Sequence, residues 1–237
     1  KDMFLAELKE KREPVTPLML LILLLATFGA TVLGSFTNLA VQQLLGLVGI
    51  QTLDVNAQIG QMVALTPSLF LLFNLVILAP VVEELVMRNF LYRRIEEPNP
   101  WLGVFVSGVL FALMHGNLNQ SISVVYMGIY FSYLAMRYSM WVPVVAHIVN
   151  NGVFYALNSL VARDVPLLPY LAGSVSFFGL IAFILVVIDA KKKYRRTETT
   201  QEKTPAVYLK SPWFWAFVVI LLLRIFLFDF VMMKLGQ

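Results

Sequence analysis

The 237-residue chain is 59% hydrophobic and only 14% charged, with a mean hydropathy of +0.78; a soluble domain carries about 25% charged residues, so an ordinary soluble fold is excluded in favour of a membrane protein. The absence of cysteine removes disulfides, iron–sulfur clusters, thiolate zinc sites and cysteine nucleophiles. A net charge of +4 and a pI near 9.3 would also suit a nucleic-acid binder, but the basic residues follow a membrane topology and no nucleic-acid partner is expected.

In chain order, the charged stretch from Lys1 to Pro14 reads as an amphipathic surface piece rather than a cleavable signal. Apolar runs then predict spanning helices over Pro17–Leu45, Ser68–Arg94, Trp101–His115, Gln120–Met136, Trp141–Leu160, Leu167–Ile188 and Trp213–Val231. The expected architecture is an all-α, polytopic transmembrane bundle of seven spans, one membrane-embedded domain over residues 1–237, at the cell membrane. The third run is short for a full crossing, so it either stops partway or continues into Gly116 and Asn117.

With the N-terminus cytoplasmic, 15 of the 18 Lys and Arg residues fall on the inner side, as the positive-inside rule requires. Arg163 and Lys234 fall outside, and Arg224 lies within the last span. Residues 190–211 read as a basic cytoplasmic loop that anchors topology and meets anionic membrane lipids. Nothing in the sequence sets the oligomeric state.

Ionisable residues inside hydrocarbon cost several kcal/mol unless paired or hydrated, so each is a functional candidate. The second span carries Glu83, Glu84 and Arg88, and the chain's two histidines, His115 and His147, sit in or at the ends of apolar helices. Glu84 and Arg88, four apart, are spaced for an ion pair, so Glu84 is either Arg88's structural partner or part of the chemistry. Glu83 has no basic residue one turn away, and burial is expected to raise its pKa towards that of a general base. Pro80 removes a helical N–H just before it, which can kink the helix and free a carbonyl. Phe111 and His115 share one helix face, as do His147 and Asn151. At 1.5 Å per residue, Glu83, His115, His147 and Asn151 lie roughly 16, 21, 12 and 18 Å from the inner edge, a common depth that predicts one buried site.

A carboxylate, two imidazoles and a carboxamide are the parts for peptide hydrolysis. In one arrangement Glu83 and His115 polarise a water while His147 and Asn151 bind the developing oxyanion. In the other, Glu83, His115 and His147 hold Zn²⁺. The absence of a His-Glu-x-x-His helix favours the first, so no cofactor is expected. The motifs Glu83-Glu84-x-x-x-Arg88, Phe111-x-x-x-His115 and His147-x-x-x-Asn151 resemble, in order, the signature of the CPBP family, which includes Rce1-type CAAX proteases. The resemblance covers about residues 75–151. It implies an intramembrane protease in which Glu83 and His115 activate water, His147 and Asn151 stabilise the oxyanion, and Glu84 and Arg88 belong to the signature; it leaves the metal question open. The implied substrate is a peptide or lipidated protein, and the compact chain is similar to prokaryotic members. The competing readings are a non-catalytic immunity or scaffold protein and a proton-coupled transporter.

Overall fold

A computed structural model of the chain describes residues 13–50, 52, 54–65, 68–95, 99–161, 165–198 and 207–235, and all regular structure among them is helical. The first helix, α1 (Pro17–Leu47), starts where extended Thr16 accepts the Met19 N–H on its side chain and Pro17 takes the first turn, where its missing N–H costs nothing. A short helix, α2 (Val55–Leu65), is capped by Asp54 and packs on α6 (Trp141–Val161). It is absent from the predicted elements, because its Asn and Gln residues interrupt the apolar pattern.

The second predicted span is α3 (Leu69–Tyr92), capped by Ser68 and followed by the helical turn Arg93–Ile95. It is followed by α4 (Pro100–Met114), α5 (Leu118–Arg137), α6, α7 (Leu168–Glu198), a 3₁₀ turn at Val207–Lys210 and α8 (Pro212–Leu235). Of the two readings of the third span, the structure shows the shorter: the helix stops at Met114 and turns through His115–Asn117, with Gly116 at φ +76°, a conformation that favours glycine. The segment 190–198, predicted as the start of a basic loop, continues α7 as helix; residues 199–206 lie outside the described residues, as do Lys1–Arg12 and Arg163.

Among the described residues four helices, α1, α3, α7 and α8, are long and apolar enough to cross a membrane, and α4 is a shorter apolar helix. The chain is a multi-pass helical membrane protein. Its more polar helices, α5 and α6, hold the inner face: Met127, Phe131 and Leu134 of α5 and Ala146 of α6 pack with Leu23, Ala26 and Ala30 of α1, Met87 of α3 and Phe111 of α4. Side chains such as Leu171, Phe177, Ile184, Leu222 and Phe226 of α7 and α8 point outward.

Without a hydrophobic drive between helices in lipid, close backbone approach through small residues holds such a bundle. A Cβ on Gly29 of α1 would stand 2.3 Å from the Gly179 carbonyl oxygen of α7, and one on Gly128 of α5 would stand 2.6 Å from the Gly108 carbonyl of α4. At one end of the bundle Arg137 bonds Glu13, Asp189 and the Tyr133 hydroxyl, and Lys193 reaches Glu13 at 2.6 Å. Trp101 stacks on Tyr133 with ring centroids 5.8 Å apart. The start of α1, the start of α4, the end of α5 and the Asp189 turn of α7 therefore share one side, in keeping with the predicted alternation of spans.

Candidate active site

The site begins with an irregularity in α3. Two π-helical segments, Phe73–Leu78 and Leu85–Tyr92, flank the α-helical turn Ala79–Glu84; π segments inside α-helices occur often at functional sites. The Ala79 N–H reaches back five residues to the Asn74 carbonyl. The next bond in that register would run from residue 80 to Leu75, but Pro80 has no N–H. The freed Leu75 carbonyl is taken by Asn151 of α6, whose Nδ2 donates to it at 2.9 Å. Pro80 thus does free a carbonyl, and that carbonyl fixes one of the predicted site residues.

The same α-helical turn carries the two glutamates, and the following π segment carries Arg88. Glu84 and Arg88 are fully buried, with Arg88 Nε 3.1 Å from Glu84 Oε2. Arg88 Nη2 donates to the Gly128 carbonyl at 3.2 Å, and its Cζ lies 4.7 Å from the Phe111 ring centroid. The close α4–α5 approach at Gly108 and Gly128 brings that carbonyl and ring within reach. Glu84's other oxygen is held by His147: Oε1 lies 3.0 Å from Nδ1. Glu84 is therefore more than Arg88's partner. His147 is buried between Phe111 and Phe131, at 5.9 and 5.1 Å between ring centroids.

Glu83 faces the other way. Its Oε2 lies 3.9 Å from His147 Nε2, and 39% of its side chain is open, so Glu83 is partly buried. The opening is a cavity of about 430 Å³, with Glu83, His115, His147 and Asn151 all on its walls. An adjoining apolar recess of about 190 Å³ also ends at Glu83 and His115. His115, at the C-cap of α4, places Nδ1 3.0 Å from the Phe111 carbonyl oxygen. A carbonyl only accepts, so Nδ1 carries the proton and Nε2 keeps its lone pair.

The structure brings all four predicted centre residues to one cavity and sets Glu84 and Arg88 behind His147. Polar wall residues that the sequence reading passed over are Thr31, Ser35, Gln120, Ser123, Asn150 and Tyr155. Thr31 Oγ1 donates to Asn150 Oδ1 at 3.0 Å. Further along α1, Asn38 Nδ2 donates to Asn119 Oδ1 at 2.9 Å, and Gln42 bonds Asn38. Thr31, Ser35, Asn38 and Gln42 recur at four, three and four residues inside an apolar run, a helical stripe that was available to find them.

A zinc site would draw on Glu83, His115 and His147. Among the described residues no three His, Cys, Asp or Glu side chains converge closely enough to hold a metal ion; with Nδ1 held by Glu84, His147 would offer Nε2 as its donor. As placed, these residues do not fit a three-ligand metal site.

Residues 65–153 match the family described as type II CAAX prenyl endopeptidase, Rce1-like. The chain is also similar to a Bacillus subtilis (strain 168) protein named "Putative membrane peptidase YdiL", with 30% identity over 77 residues, 32% of each chain. The matched part thus spans about one third of that relative's length. No solved structure matches. The matched segment holds every residue of this constellation, from the Leu75 carbonyl through Glu83, Glu84, Arg88 and His115 to His147 and Asn151, and over this segment the chain is similar to the Rce1-like family.

Proposed function

We propose that the protein is an intramembrane endopeptidase that hydrolyses a peptide bond in a membrane-associated peptide or a lipidated, CAAX-type protein. The observation that carries this reading is the meeting of Glu83, His115, His147 and Asn151 on one cavity wall within the Rce1-like segment. Glu83 is the open carboxylate of the pair and His115 presents a free Nε2, so a water between them has two acceptors for its protons. As Glu83 takes one proton, the oxygen attacks the scissile carbonyl, and no covalent enzyme intermediate forms. The proton then passes to the leaving amine as the C–N bond breaks, and the proton left on the attacking oxygen is given up to His115 Nε2 and then to solvent, yielding one new carboxylate and one new amine.

The oxyanion needs fixed donors at the position where its charge develops. Asn151 offers the amide hydrogen not given to Leu75. His147 offers Nε2–H when its ring is doubly protonated, with Nδ1–H held by Glu84. Glu84 and Arg88 set the ring's orientation, and no step requires a metal ion.

The test is to incubate the purified protein in nanodiscs with prenylated and unprenylated reporter peptides and identify products by mass spectrometry. Internal cleavage by wild type that is lost in Glu83→Gln supports the reading. Binding of peptides that survives Glu83→Gln, with no product from either protein, supports a non-catalytic scaffold instead.

A further inference from the structure

The last helix lies outside the matched segment, yet it carries two charged residues in a window of mean hydropathy 2.4. Charges there are costly unless something pairs with them. Both Arg224 and Asp229 end on the backbone of a single turn. Arg224 Nη1 donates to the Met114 carbonyl at 3.0 Å, and Asp229 Oδ2 accepts the Leu118 N–H at 2.9 Å. Met114 is the last residue of α4 and Leu118 the first of α5. Their carbonyl and N–H are among the groups that a helix end leaves without an internal partner. The signs also match: the cation meets the negative end of the α4 dipole and the anion the positive end of α5.

Between these two contacts stands His115. The turn is tight, with Gly116 at φ +76° and an added Cβ only 2.6 Å from the Arg224 guanidinium. Asn117 closes its far side, accepting the Gln120 N–H at 2.8 Å and donating to Gln120 Oε1 at 2.9 Å. Asp229 is buried on the α8 face that also buries Leu221 and Ile225. Apart from Lys234 near its end, the rest of α8 is apolar, so this pair of charges is what can give it a defined rotation and depth against the turn.

We propose that α8 is a clamp on the His115 turn, with Arg224 and Asp229 as positioning residues that aim His115 Nε2 into the cavity. The catalytic part of this inference rests on the hydrolysis reading; the structural coupling does not. Two measurements on the full chain in nanodiscs test it. With cleavable peptide, Arg224→Leu and Asp229→Leu should each lower kcat about tenfold or more, the scale of loss that small misplacement of a reacting group produces, with KM within about twofold. Arg224→Lys and Asp229→Asn keep a donor and an acceptor and should recover most of the rate. Equal kcat in all variants, or losses that only track the unfolded fraction and are not rescued, would overturn the clamp.

The second measurement needs no substrate. With ¹⁵N-histidine labelling the chain yields two sets of ring signals, from His115 and His147; the Leu variants should move the His115 set and leave the His147 set in place. An unmoved His115 set would overturn the clamp. Full cleavage by Glu83→Gln would instead count against the hydrolysis reading and leave this coupling to be judged on the ring signals.

Discussion

Glu84 Oε1 lies 3.0 Å from His147 Nδ1 in a fully buried setting, with Arg88 on the carboxylate's other oxygen. This chain of contacts holds the imidazole with Nε2 towards Glu83 and the cavity. Glu84→Gln keeps the shape but exchanges the charge-assisted bond for a neutral one. We expect kcat to fall about 100-fold through loss of ring orientation, with peptide affinity little changed, as steady-state cleavage would measure.

Arg88 is the residue whose removal should damage the fold. Arg88→Met leaves the Glu84 carboxylate buried without its cation, which typically costs about 3–5 kcal/mol. Thermal unfolding of the detergent-solubilised protein should show a large drop in midpoint. The double change Arg88→Met with Glu84→Leu should recover part of that stability, but none of the cleavage.

Pro80 and Asn151 are coupled through the Leu75 carbonyl. Pro80→Ala supplies the N–H that can close the register onto Leu75 and release the Asn151 amide. Cleavage should fall while stability stays close to wild type. Asn151→Leu should cost about 10²–10³ in kcat, the loss seen for removal of one oxyanion donor, and should also leave the Leu75 carbonyl without its side-chain partner.

How far the molecule was legible in its sequence follows from what each signal depends on. Hydropathy depends on composition, so the seven predicted spans have their helices, while α2 was passed over because Asn56, Gln58 and Gln61 break its apolar run. The extension of α7 past Ile188 was missed because a run of Lys and Arg reads the same in a loop as on a helix that leaves the bilayer. Glu83, His115, His147 and Asn151 stood out because such groups are rare in hydrocarbon. Glu84's bond to His147 did not, since local spacing offers only Arg88 as its partner. The π segments around the glutamates were announced only by Pro80, because the choice between four- and five-residue bonding is made by what packs on the helix. Arg224 stands out as a charge within the last span, but its partner and that of Asp229 in the same helix are backbone groups of a distant turn, which no side-chain pattern records.

The ion-pair cluster at the bundle's edge gives a pH dependence outside the membrane-spanning segments. Partial burial pushes the Glu13 carboxyl up, but its bonds to Lys193 and Arg137 outweigh this and hold it below the ordinary value of 4.5. A carboxyl lowered on folding contributes stability that is present above its unfolded pKa and lost as pH falls through the folded one. Unfolding midpoints should therefore drop as pH falls below about 4.5, with a smaller drop in Glu13→Gln. The effect is modest, because the group is partly exposed and screened.

In the mechanism we propose, Glu83 activates water for peptide hydrolysis without a metal. The most direct measurement compares single-turnover cleavage of one reporter peptide by wild type and Glu83→Gln, matched for unfolding midpoint and peptide binding, with and without a chelator. The variant should bind but not cut, and the chelator should leave wild-type cleavage unchanged. Equal cutting by the variant, or chelator inhibition reversed by added Zn²⁺, would contradict it.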